Sequence, residues 1–146
     1  MKTMLILFLS AILSSPIVWN TDFEKAHKTA VDDKKMILIN FCGSDWCGPC
    51  IRLKHEILES AAFENYAADH LVLIRADFPR QKKNQLSPEQ TKRNEELADK
   101  YNPQGDFPLT VLLDSNGKLI KKWEGFPATN PDDFVSEIKA IQTSAK

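Results

Sequence analysis

The chain reads as an α/β protein, and three observations say so. Met36 to Cys42 and Leu71 to Ala76 are short, nearly continuous apolar runs, as expected of central strands covered on both faces. Segments with helical spacing lie before, between and after them. Two further apolar runs are joined through Asn116-Gly117, the strongest short hairpin signal. Alternation followed by a hairpin predicts the order β-α-β-α-β-α-β-β-α, a mixed sheet with helices on both faces.

Each element has its own signal. Ile17-Val18-Trp19 is a short strand candidate. Thr21 to Glu24 has capping-box spacing, with Thr at the cap and Glu three residues later, and helical periodicity then runs to Val31. Asp32-Asp33-Lys34-Lys35 reads as a solvated turn before strand Met36–Cys42. A helix is expected from Cys47 to about Glu59, and Ser60 opens a shorter piece through Ala68. After strand Leu71–Ala76, a polar stretch leads to Ser87-Pro88-Glu89-Gln90, a helix start with Ser at the cap and Pro at the first position. That helix should end near Tyr101, before Asn102-Pro103. Strands Leu109–Leu113 and Leu119–Trp123 form the hairpin. Asn130-Pro131 starts a last helix whose Phe134, Ile138 and Ile141 share one face.

Composition narrows the function classes. The 146 residues amount to about one domain. Nineteen basic and twenty acidic side chains give a charge of −1, without the basic surplus or stripe of a nucleic-acid binder. Three cysteines are too few for a disulfide-stapled scaffold, and the odd count leaves one without an intramolecular partner. Residues 1–15 stand apart: one Lys, an apolar run from Met4 to Leu13 broken only by Ser10, then Ser14-Ser15. This is the order of a secretory signal peptide, and the run is too short for the ~20 residues of a membrane-spanning helix. A buried terminal helix or strand is the alternative. The expected organisation is a signal peptide over 1–15 and one domain over 16–146.

The chemistry lies in Trp46-Cys47-Gly48-Pro49-Cys50. Two cysteines separated by two residues can close a disulfide within one turn of chain. At a helix start, the first sulfur stands near unpaired N–H groups and the positive end of the helix dipole, which favours the attacking thiolate. Pro49 is tolerated because the first turn has no use for its missing N–H. Gly48 leaves the sulfur open to solvent. Half a zinc site is the competing reading of one Cys-x-x-Cys, but four ligands are needed. Cys42 precedes the pair, His55 lies five residues past Cys50, and His27 and His70 are distant in sequence. The strand-then-helix context favours redox chemistry, with no metal and no cofactor called for.

With that pentapeptide in place, the chain resembles the thioredoxin family over nearly all of 17–142. Gly43-Ser44-Asp45-Trp46 and the Asp77-Phe78-Pro79 step before a polar insertion look like exported bacterial members akin to the carboxy-terminal domains of transmembrane disulfide reductases. The resemblance implies a thioredoxin-like fold with a four- to five-stranded sheet, and dithiol exchange with protein or small thiol substrates in a periplasm. It also implies a membrane-embedded electron donor. Carried over by position, Cys47 is the accessible nucleophile and Cys50 the buried resolving thiol. Pro108 stands where the family has a cis-proline, so that Phe107 could pair with an extended substrate. Trp46 shields the site, unless it is simply a core aromatic.

Departures from the family pattern accompany the match. Asn40 stands where cytoplasmic members bury an aspartate that accepts the resolving cysteine's proton. Asp45 is a replacement by proximity alone and otherwise a loop carboxylate. Asp106 lengthens the segment before Phe107-Pro108, and Leu109 replaces the usual Thr. Cys42 reads as a small buried hydrophobe, or else as a third redox thiol. Lys82-Lys83 and Lys92-Arg93 read as solvated faces balanced by Glu89, Glu95 and Glu96. The expected function is an exported disulfide reductase. Alternatives are a disulfide oxidase or isomerase, a Cu(I) chaperone using Cys47, Cys50 and His55, and a redox-inert interaction domain.

Overall fold

A computed structural model describes residues 16–145. The expected signal peptide over 1–15 lies outside them. Five strands form one mixed sheet in the order β1-β3-β2-β4-β5. They are β1 (Trp19–Asn20), β2 (Met36–Cys42), β3 (Leu71–Asp77), β4 (Leu109–Leu113) and β5 (Leu119–Glu124). β2 pairs parallel to β3 and antiparallel to β4, while β1 and β5 are the edges. The helices are α1 (Phe23–Asp33), α2 (Gly48–Leu53), α3 (Ala61–His70), α4 (Pro88–Tyr101) and α5 (Pro131–Ser144).

The period-2 alternation of strands divides the core into two layers. Met36, Leu38, Leu71 and Leu73 pack against Leu53, Ile57, Phe63, Phe134 and Ile138 on one face. Ile37, Ile39, Phe41, Val72 and Ile74 pack against Ala26, Ala30, Leu97 and Tyr101 on the other. Toward the carboxyl ends of β2 and β3, the first face changes character. Its next positions are Asn40, Cys42, Arg75 and Asp77, registered as Asn40 opposite Arg75 and Cys42 opposite Asp77. The motif helix sits over this polar end.

Several boundaries differ from the sequence reading, each for a local reason. β1 is Trp19–Asn20, not Ile17–Trp19, because the ladder meets only Leu73 and Ile74 and leaves Val18 66% exposed. Asp22, not Thr21, caps α1, accepting from the Lys25 N–H at 3.2 Å. The carbonyl of Thr21 is engaged by Gln90 of α4 at 2.8 Å. Asp32 and Asp33 are the last turn of α1 rather than a turn, and Lys34 ends the helix in the left-handed region at φ 54°. A non-glycine residue there carries no sequence signal. The helix after Cys47 widens into a π-helical turn at Lys54–Leu58, closed by Glu59 N–H to Lys54 C=O at 2.9 Å. The wider turn lets Leu53, Ile57 and the adjacent Leu58 all reach the core. Ser60, Ser87 and Asn130 cap α3, α4 and α5, and Gly117 takes φ 84° in the hairpin turn. Among the described residues, no helix is long and apolar enough to cross a membrane.

Candidate active site

Cys47 is the N-cap of α2, extended at φ −97° and ψ 100°, and its sulfur accepts the Cys50 N–H at 3.3 Å. Pro49 lies within the first turn, as its missing N–H allows. The two cysteines are joined in a disulfide with their Cα atoms 5.2 Å apart. Cys47 was expected to be exposed and Cys50 buried. In this disulfide state both are buried, at 5% and 4% exposure, because Trp46 and Phe107 pack over the cluster that they form with Cys42. The open side is Gly48-Pro49: both residues are exposed, and nothing lies within 4 Å of a Cβ built on Gly48.

Trp46 is fixed on three sides. Its indole N–H donates to the Phe78 carbonyl at 2.7 Å, its ring meets Phe107 edge-on at 5.5 Å, and the Arg80 guanidinium lies over it at 3.7 Å. A Cβ on Gly43 would run into the indole, so glycine is needed there for the close approach. Phe107 also meets Phe78 at 5.4 Å, and the Phe107–Pro108 bond is cis. The structure thus brings Trp46, Cys47, Cys50 and Phe107 together, with Pro108 joined to Phe107 through the cis bond.

The carboxylates near the motif anchor loops. Asp45 accepts from the N–H groups of Arg80 and Gln81 at 2.9 and 3.0 Å and from the Asn84 amide at 2.9 Å. The Arg80 N–H and the Asn84 amide hold its carboxyl below the usual range. It is a loop anchor. Asp77 accepts from the Ser44 N–H at 2.9 Å and its hydroxyl at 2.5 Å, pinning the turn before the motif. Asp77 also faces the Cys42 sulfur at 3.6 Å.

Beneath Cys50 the family's carboxylate is absent and a cation is present. Asn40, 3% exposed, donates from its amide to the Thr110 hydroxyl at 3.4 Å. With Cys42, Cys50, Lys54, His55 and Arg75 it lines a cavity of about 230 Å³. Arg75 stacks its guanidinium on Trp19 at 4.6 Å, and its Nε is buried without a hydrogen-bond partner among the described residues. His55, a ligand in the metal reading, pairs its Nδ1 with Glu59 at 2.6 Å. No group of three or more His, Cys, Asp or Glu side chains converges on a metal-sized site among the described residues.

Burial and the adjacent Asp77 charge push the Cys42 thiol up to about 12, against a smaller opposing pull from Arg75. The thiol therefore stays protonated at every physiological pH. Its folded value lies above the ordinary thiol value near 9, so the folded state keeps a proton that the unfolded chain gives up. Stability from this group is complete below pH ~9 and is lost as pH rises toward ~12. Native protein should resist iodoacetamide at Cys42 at pH 8. The stability gap between wild type and Cys42→Ala, measured by urea unfolding, should narrow between pH 8 and 10. A gap that widens would contradict this environment.

A helix-capping disulfide at the carboxyl edge of a mixed sheet, under a tryptophan and a cis-proline loop, defines a dithiol exchange centre. The comparisons agree. A family model described as a thioredoxin-like domain matches residues 23–142. The chain is 34% identical over 129 residues to the disulfide bond reductase DsbH of Chlamydia pneumoniae, covering 88% of this chain and 75% of that protein. A solved structure of a DsbH oxidoreductase superposes with a TM-score of 0.81 at 30% identity, covering 97% of this chain and 95% of that one. The DsbD carboxy-terminal domain of Neisseria meningitidis, in its oxidised form, shares the fold with a TM-score of 0.58 at 20% identity, over 85% of this chain and 97% of that one. The chain belongs to the thioredoxin-like family. It is a homologue of a disulfide reductase and carries the Cys47–Cys50 pair that thiol–disulfide exchange requires.

Sequence reasoning placed the cysteines but missed Arg75, Asp77, Phe78 and Arg80. The Asp77-Phe78-Pro79 step was a family marker and gave no hint that its side chains return to the motif. The alternation of β3, counted past Leu73, was the available signal for Arg75 and Asp77.

Proposed function

We propose that this protein is an exported thiol–disulfide oxidoreductase that reduces disulfides of proteins or small thiols. Cys47 at the N-cap of α2, bonded to Cys50 and accepting its N–H, carries the reading. In the reduced enzyme the Cys47 thiolate attacks one sulfur of the substrate disulfide. The other substrate sulfur leaves as a thiolate and takes a proton, and a mixed disulfide forms. Cys50 then gives up its proton and attacks the Cys47 sulfur. The second substrate thiol leaves, two electrons have passed to the substrate, and the Cys47–Cys50 disulfide remains. Asn40 cannot accept the Cys50 proton, so the proton goes to another acceptor, such as the leaving thiolate, water or a group of the cavity that Cys50 lines.

Trp46, Gly48, Pro49, Phe107 and Pro108 are the residues we assign to substrate contact. The first and fourth wall the disulfide, and the exposed Gly48-Pro49 turn leaves the approach open. The name of the Chlamydia relative supports the reducing direction. Export rests on the charge, apolar run and small residues of 1–15. Each cycle must be restored by a dithiol donor, and a membrane-embedded one suits an exported chain. Equilibrating the Cys47–Cys50 pair with defined glutathione buffers tests the direction. A potential near that of thioredoxin, about −270 mV, is expected, and a value near about −120 mV would reverse the electron flow.

A further inference from the structure

The segment between β3 and α4 is built as part of the site. Asp45, two residues before Cys47, accepts three hydrogen bonds from Arg80, Gln81 and Asn84, and its carbonyl accepts a fourth from the Gln81 amide at 3.2 Å. Lys82–Asn84 form a single tight turn in that clamp, with the Asn84 N–H on the Gln81 carbonyl at 2.9 Å. Arg80 reaches back over Trp46 at 3.7 Å. The loop and the motif are thereby held together.

Its charge is all of one sign. Arg80, Lys82 and Lys83 are exposed, and none lies within ion-pair distance of a carboxylate among the described residues. On the helix that follows, by contrast, Lys92 pairs with Glu96 and Arg93 with Asp22. Of the carboxylates that adjoin the loop, Asp45 is held by the loop's own donors and Asp77 by Ser44 and Cys42, while Glu95 of α4 lines a groove with Phe78, Pro79, Gln85 and Leu86. Asp106 belongs to the separate loop before Pro108. Solvated faces on a stable protein are normally charge-mixed; this one is a fixed cationic rim beside a reactive disulfide.

We propose that Arg80, Lys82 and Lys83 form a docking surface for polypeptides with acidic residues flanking the disulfide to be reduced. The proposal rests on the oxidoreductase reading and names its substrate class. Individual exposed ion pairs contribute little at equilibrium. A preorganised cluster instead steers association, and does so most strongly at low salt.

Pre-reduced full-length protein mixed with disulfide peptides tests this, read as the second-order rate constant of its oxidation. Two peptides share one internal disulfide, flanked by glutamates in one and lysines in the other, and uncharged hydroxyethyl disulfide is the reference. Relative to that reference, the acidic peptide should react about tenfold faster than the basic one at 50 mM salt, with the preference collapsing at 500 mM salt. In the Lys82→Glu/Lys83→Glu protein the order of the peptides should reverse or vanish. Peptide rates within twofold of each other at low salt, or a preference that survives the double reversal, would overturn the docking surface. Wild-type protein inert even toward hydroxyethyl disulfide would instead sink the oxidoreductase reading, and the surface with it.

Discussion

Replacing Cys50 with serine is expected to stop turnover and leave the enzyme covalently joined to its substrate. Cys47 keeps its place at the N-cap of α2, where the Cys50 N–H meets its sulfur. The backbone donor survives the substitution, so the thiolate still forms and still attacks. The second thiol is gone, so the mixed disulfide persists. Cys47→Ser removes the nucleophile and should lower turnover on the order of a thousandfold or more, with no adduct formed. Mass spectrometry of non-reduced protein after exposure to a disulfide peptide separates the two. An adduct on the Cys47→Ser protein in place of the Cys50→Ser protein would exchange the assigned roles. An adduct through Cys42 in either would contradict its burial beside Asp77.

Phe134→Ala should cost about 3–5 kcal/mol, against a total stability of about 5–15 kcal/mol for a domain of this kind. The ring is fully buried where α5 meets the sheet. It packs on Trp123 at 5.1 Å and on Phe63 at 6.2 Å. Those neighbours belong to a strand and to a separate helix, so they cannot close together over the gap without moving the sheet. Melting should fall by roughly 6–20 °C. A loss below about 1 kcal/mol in urea unfolding would mean that the site collapses freely.

The sequence was most readable where a residue's chemistry acts on its nearest neighbours. Ser60, Ser87 and Asn130 announced their helices because caps are local. Met36–Cys42 is a strand in full because an apolar run of that length, interrupted only by Asn40, fits only a covered strand or a buried helix, and its flanks chose the first. Thr21 misled because its carbonyl is engaged by Gln90, 69 residues away. The π turn was illegible, since it reflects how three core residues meet the sheet and not any local preference. The same division holds at the site. The Cys47–Cys50 pair is local and was legible. Asp45 meeting Arg80, and Trp46 meeting Phe78, join segments more than thirty residues apart, which periodicity does not connect.

The two borders of the sheet bear on how such a protein handles clients that are not fully folded. Chains with unsatisfied disulfide chemistry expose strands, and an open sheet border is a template on which strands accumulate. Here one border is the two-residue β1, too short to template a strand. The other is β5, where Lys121, paired with Glu137, and Lys122 follow the exposed Leu119 and Ile120 along the margin. A very short edge strand and lysines on an edge are both devices that natural sheets use against unwanted pairing. Such devices work against retention of a client by the sheet as a stray strand. In the exchange proposed above, the client is joined by the sulfur bond as well as by any contact with Arg80, Lys82 and Lys83, and the sulfur bond is the one that the second cysteine, three residues on, is placed to break.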